Sequence, residues 1–98
     1  MFTGSLVADL LLGDVRSLKQ KRSVVRPVVA ELRRRYAVAA AEVGDADLHR
    51  RVQVGVAAVA ADAEHVTEVL DACERLIAGR PEVELLSVRR QLFRDTDD

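Results

Sequence analysis

Two stretches of the chain alternate between apolar and other side chains, and this period of two restricts the fold more than any other feature of the sequence. In residues 2–12 one face of the pattern carries Phe2, Leu6, Ala8, Leu10 and Leu12. In residues 51–60 the corresponding face carries Val52, Val54, Val56 and Ala58. Successive side chains of a β-strand point to opposite faces, so the pattern predicts two strands that each bury one face.

The residues after the first strand show a helical period instead. Ser17 followed by Gln20 has the spacing of a capping box, which predicts a helix over about residues 18–36. Its apolar face carries Leu18, Val25, Val28, Val29, Leu32 and Tyr36. Pro27 lies inside this helix and removes one backbone hydrogen bond, so we expect a kink near Ser23 or, alternatively, a helix in two pieces.

A second helix is predicted after Asp62, a residue type that caps helix N-termini, and before Gly79 and Pro81, which end helices. Its apolar face carries Val66, Val69, Leu70, Cys73, Leu76 and Ile77. Its other faces are acidic, with Glu64, Glu68, Asp71 and Glu74.

Weaker strand patterns over residues 38–43 and 83–93 complete the order β-α-β-β-α-β. This order predicts an α+β fold, a ferredoxin-like βαββαβ sandwich with a four-stranded antiparallel sheet and two helices on one face. Right-handed crossovers place the first and third strands at the centre of the sheet. The length of 98 residues fits one core, so we expect a single domain over residues 1–94 and an acidic C-terminal tail over residues 95–98.

Positive charge is concentrated around the first helix. Residues 14–36 hold eight lysines and arginines against two acids, net +6, whereas the rest holds seven against fourteen, net −7. The candidate phosphate-contacting residues are Arg16, Lys19, Lys21, Arg22, Arg26 and Arg33. Cations near a helix N-terminus oppose the helix dipole, and free N–H groups there bind anions, so the segment predicts contact with phosphates of RNA or of a phosphorylated ligand. The alternative is a solvated face whose charges pair with the acidic second helix.

The predicted fold leaves one face of the sheet without helices. From the central strands this open sheet face presents Ser5, Val7, Gly55, Ala57 and Val59. Binding of single-stranded RNA on a sheet requires aromatic rings for base stacking, and these residues are small. The composition favours an interface with another protein surface, most simply a homodimer, or a small-ligand site.

The sequence does not support an enzyme. Glu42, Asp45, Asp47 and His49 surround one predicted loop, but their spacing matches no metal-ligand or acid–base motif. We therefore predict no catalytic residue, no metal site and no cofactor. A single cysteine, Cys73, fits a reducing compartment, and no apolar run is long enough for a membrane span, so a cytoplasmic protein without membrane association is expected.

The segment Arg16-Ser17-Leu18-Lys19-Gln20-Lys21-Arg22 resembles the RSLK-x-KR signature of the YlxP-like family of small bacterial proteins, a domain of unknown function. The similarity spans nearly the whole chain and continues at Ala41–Val43, Asp47–Leu48, Arg51, Val54–Val56 and His65–Val66. The resemblance implies a ferredoxin-like fold and a cytoplasmic, ribosome-binding-factor-like role near ribosomal RNA or a ribosomal subunit. Two positions depart from the family pattern: Pro27 lies inside the basic helix, and His49 stands where relatives often carry tryptophan. The resemblance transfers no catalytic residue.

Overall fold

The two alternating segments form the central pair of strands in a single sheet. The structure is a computed structural model, and it describes residues 1–95. Its elements are β1 (Phe2–Leu12), α1 (Leu18–Arg35), β2 (Ala39–Gly44), β3 (Arg51–Ala60), α2 (Ala63–Ala78) and β4 (Val83–Arg94). The element order is therefore the predicted one.

The sheet is antiparallel throughout, with the strand order β2-β3-β1-β4. Both helices pack on one face of the sheet, where the apolar face of each alternating strand is buried. The buried core consists almost entirely of valine, leucine, isoleucine and alanine, with Cys73 among them. The predicted ferredoxin-like sandwich, with β1 and β3 at the centre, is confirmed.

Helix α1 begins where the capping pattern predicts. Ser17 is the N-cap, and its Oγ accepts a hydrogen bond of 3.1 Å from Gln20 N. The Gln20 side chain returns to Arg16 N, at 2.7 Å, rather than to the backbone of the cap residue itself. The helix is continuous through Pro27, so the alternative of two separate helices is wrong.

Helix α2 approaches the sheet closely because β1 carries a glycine beneath it. A Cβ atom at Gly4 would lie 2.3 Å from Val66 Cγ1 and 2.9 Å from Leu70 Cδ1, which is far inside van der Waals contact. The acidic end of the chain was predicted to begin at residue 95. Residues 96–98 lie outside the described residues.

Candidate anion-binding surface

Four of the six predicted phosphate-contacting residues form an exposed row on α1, which we call the α1 basic stripe. The stripe consists of Lys19, Arg22, Arg26 and Arg33. With 100° between successive residues, these four side chains fall within about 60° of one another around the helix axis. The helix therefore presents four positive charges to solvent in a single line.

Lys21 was predicted to belong to this set, but its position contradicts that prediction. It is only 2% exposed, and its Nζ donates to the carbonyl oxygens of Asp45 (2.7 Å), Leu48 (2.8 Å) and Ala46 (3.4 Å). Glu42 Oε1 lies 3.3 Å from the same nitrogen. Lys21 therefore anchors the β2–β3 loop to α1 and cannot contact a phosphate from that position.

The sequence contained a signal for this role. Lys21 precedes Val25, Val28 and Leu32 by four, seven and eleven residues, which places it on the buried face of the helix. A lysine on an apolar stripe needs acceptors for its ammonium group. The acceptors come from a loop more than twenty residues away, and this separation is why the sequence pattern did not identify them.

Arg16 differs from the stripe in that it already has a carboxylate partner. Its Nε lies 3.3 Å from Asp14 Oδ1, and both side chains are 80% exposed. Ion pairs this exposed contribute little to stability, so Arg16 can exchange this partner for another anion.

The stripe lies on the side of α1 that faces the free edge of the sheet. Arg26 and Arg33 line a shallow cleft of about 410 Å³ together with Ala41 and Glu42 of β2. Arg33 Nε donates a hydrogen bond of 2.8 Å to the carbonyl oxygen of Ala40, also on β2. One edge of the guanidinium group is thus fixed, which leaves its two Nη groups to contact an anion.

Two acids of α2, Asp71 and Glu74, pair with a different part of the chain. Arg90 of β4 contacts Asp71 at 2.8 Å and Glu74 at 3.0 Å. On the other flank of α1, Glu31 pairs with Arg80 and Arg35. Within residues 1–95 no ion pair joins the stripe to α2, so the predicted alternative, in which α2 neutralises the stripe, is not observed.

The open sheet face forms the second candidate surface. Ser5, Val7, Gly55 and Ala57 lie side by side in the β1–β3 register, as predicted. With small and apolar residues of β2, namely Ala39, Ala41 and Val43, they line a shallow depression of about 540 Å³. Val59 lies farther along β3, outside this depression, and is 61% exposed.

The opposite end of this face is polar. Arg51 Nη2 contacts Asp9 Oδ2 at 2.6 Å, and the Asp9 carboxylate raises the pKa of the Arg51 guanidinium. The open sheet face is therefore apolar beside β2 and charged near one end of β1.

The acidic loop does not gather into a site. Glu42 contacts Lys21, and Asp45 adopts a left-handed backbone conformation, with φ of 62°, in which its carbonyl oxygen accepts from Lys21. Among residues 1–95, no three His, Cys, Asp or Glu side chains come close enough to hold a metal ion. Over the same residues, no helix has the length and apolar character needed to cross a membrane.

Cys73 is fully buried in the core, as predicted. Burial raises the pKa of the Cys73 thiol above its ordinary value of 9.0, although the positive charge of Arg90 acts in the opposite direction. The thiol therefore stays protonated at neutral pH and is a weak nucleophile.

These features define a class of protein, an α+β domain with the ferredoxin fold, a basic first helix and an open sheet face. A de novo designed protein with ferredoxin fold, solved by solution NMR, is similar to it, with a TM-score of 0.55 and 15% identity over 99% of this chain and 89% of that one. This similarity concerns the fold alone.

Residues 3–90 match the family described as "Protein of unknown function (DUF503)", and the chain belongs to that family. It is 27% identical to the "Uncharacterized protein YlxP" of Bacillus subtilis (strain 168) over 90 residues, which cover 92% of this chain and 98% of the relative. The resemblance of the sequence to the YlxP-like family is confirmed by these matches.

Proposed function

We propose that this protein is a non-enzymatic, cytoplasmic RNA-binding module that associates with ribosomal RNA or a ribosomal subunit through the α1 basic stripe. The observation that carries the proposal is the separation of charges around α1. Lys19, Arg22 and Arg26 make no ion pair with any residue in the described part of the chain, while Asp71 and Glu74 of α2 are paired with Arg90 of β4.

Concentrating like charges on one side of α1 costs free energy. Four like charges on one side of a helix repel one another, and the net charge of the chain is −1, so the stripe is a local excess rather than a general property. A polyanion such as RNA relieves this repulsion and releases its bound counterions on contact. The resemblance of residues 16–22 to the YlxP-like signature supports RNA of the ribosome as the partner.

The proposal is tested by titrating a fluorescein-labelled ribosomal RNA fragment with the protein at 50 and 200 mM monovalent salt. Four phosphate contacts give a slope of log K against log salt of about −3.6, which corresponds to a loss of roughly 150-fold in affinity over this range. The double variant K19E/R22E removes two of those contacts, so we expect a shallower slope, of about −1.8 or closer to zero.

A matched control changes the net charge by the same amount elsewhere. Arg75 on α2 and Arg89 on β4 are both exposed and make no ion pair with a described residue, so R75E/R89E keeps the stripe intact. Equal loss of binding in both double variants, no binding by the wild type, or tighter binding to a DNA duplex of the same length would contradict the proposal. Co-sedimentation with ribosomal subunits at the two salt concentrations tests the ribosomal part.

A second candidate function is self-association through the open sheet face, which the apolar depression between β1, β2 and β3 favours. In this case A57K, which places a charge at the centre of the face, converts a dimer into a monomer in light scattering. The control is A78K, which changes an exposed position at the end of α2. A monomeric wild-type protein at high concentration would exclude this candidate.

A further inference from the structure

We infer that the α1 basic stripe binds the phosphate backbone of base-paired RNA in preference to unpaired RNA. This inference rests on the proposed function and specifies the form of RNA that the stripe takes. It follows from three properties of the stripe: the fixed spacing of its residues along one helix, the chemistry of its side chains and the charge around it.

The stripe is carried by one continuous helix, which fixes the spacing of its residues. Lys19 and Arg33 are fourteen residues apart on one continuous helix, so about 21 Å separate their Cα atoms along the axis. Three arginines contribute planar guanidinium groups that can contact phosphate oxygens in pairs, and one of these groups is held in place by Ala40 O. A row of cations with fixed spacing suits a phosphate row that is already ordered, because a flexible strand loses conformational entropy when it aligns.

The stripe offers no aromatic ring on which an unpaired base can stack. The chain has three aromatic residues, and none belongs to the stripe. Tyr36 follows α1, and the Cζ atom of Arg35 lies 5.7 Å from the centre of its ring. The Cζ atom of Arg94 lies 5.8 Å from the ring centre of Phe2, and Phe93 lies on β4. Base stacking contributes about 1–3 kcal/mol per base in proteins that bind single strands, and this contribution offsets the ordering of the strand.

Base edges of paired RNA are not accessible to the stripe, because the major groove of an A-form helix is deep and narrow. Gln20 is the single amide side chain of α1, and its Oε1 accepts from Arg16 N. The stripe itself consists of lysine and arginine, whose contacts to phosphate oxygens carry no sequence information. An affinity built from phosphate contacts alone grows with the charge density of the nucleic acid, and a duplex has the higher density.

The charge around the stripe limits how far a strand can wrap. The far side of the helix layer is α2, whose exposed Glu64 and Glu68 repel phosphates. A flexible strand that follows the protein surface beyond the stripe reaches these acids, whereas a straight duplex can contact the stripe and leave the protein on either side.

The difference in counterion release gives the expected magnitude. Four contacts give a salt slope of about −3.6 with a duplex and about −2.8 with a single strand. With equal affinity for the two forms at 1 M salt as the reference, this difference in slope makes binding to the duplex about tenfold tighter at 50 mM salt. The entropy lost in ordering the single strand adds to this preference.

The experiment measures binding of the intact protein to a 16-base-pair RNA duplex and to each of its two separate strands at 50 mM salt. We expect the duplex to bind at least tenfold more tightly, with this preference abolished in K19E/R22E and retained in R75E/R89E. Circular dichroism confirms that each variant is folded.

The outcomes separate this inference from the proposal beneath it. Single strands that bind as tightly as the duplex, with the loss confined to K19E/R22E, overturn the preference and leave RNA binding by the stripe in place. Absence of binding to every RNA, or equal binding by all variants, overturns the proposed function and the inference together.

Discussion

Replacement of Lys21 by methionine should destabilise the protein strongly, whereas the same replacement of Lys19 should not. Methionine retains most of the aliphatic chain but removes an ammonium that donates 2.7 and 2.8 Å hydrogen bonds to the Asp45 and Leu48 carbonyls. Hydrogen bonds to charged groups contribute about 1.5–3 kcal/mol each. Glu42 is a third exposed and rehydrates when its partner is lost, so it adds little. Because both carbonyls regain part of their hydration, we expect a loss of about 2–4 kcal/mol.

The loss is measured as the free energy of unfolding in urea, with K19M as the matched control. In a domain of this size, each 1 kcal/mol corresponds to roughly 4–8 °C in Tm. Lys19 is exposed, so its replacement should change stability by less than about 0.5 kcal/mol. Faster hydrogen exchange at Leu48 N, which donates to Asp45 O at 3.1 Å, should accompany the loss in K21M. A K21M protein as stable as K19M would refute the anchoring role.

Three further predictions concern the core and the sheet edge. G4A should lower the free energy of unfolding in urea by about 1–3 kcal/mol, because the new Cβ atom would collide with Val66. The control G13A should leave it unchanged, because Gly13 has open space around it and no positive φ. Because burial raises the pKa of Cys73 in the folded protein, the unfolded chain loses the thiol proton first as the pH passes 9.0. The free energy of unfolding should therefore fall by up to about 1.4 kcal/mol per pH unit above that pH. C73A should show a shallower decline with pH, and parallel curves for the two proteins would contradict this. R33K keeps the positive charge but loses the hydrogen bond to the carbonyl oxygen of Ala40 on β2, so it should lower the free energy of unfolding by about 0.5–1.5 kcal/mol. The salt slope of RNA binding should stay the same. A changed slope with unchanged stability would contradict this prediction.

Most of the fold could be predicted because its signals are local. The alternation in residues 2–12 and 51–60 defines one buried face per strand, and the buried residues of β1 and β3 follow it. Ser17 and Asp62 cap the helices where the sequence predicts, since each side chain accepts from the backbone three residues later. The order of the elements then leaves few topologies that bury both helices on one sheet.

The candidate site was predicted less completely, because net charge along the sequence does not distinguish exposed from buried cations. Lys19 and Lys21 look alike in the charge count, yet one is exposed and the other is enclosed by the β2–β3 loop. The pairing of α2 with Arg90 was also missed, because the relevant residues are sixteen or more positions apart and meet through the pairing of β1 with β4.

The sequence by itself determined the period of each element, the helix caps, the fold class and the concentration of positive charge in residues 14–36. Only the tertiary structure decided which of those charges remain available. Lys21 donates its hydrogen bonds to the β2–β3 loop, and Arg33 donates one to the backbone of β2. Arg22 and Arg26 remain exposed to solvent. The physical reason is that periodicity depends on neighbours within a few residues, whereas the availability of a charge depends on acceptors that distant segments bring to it.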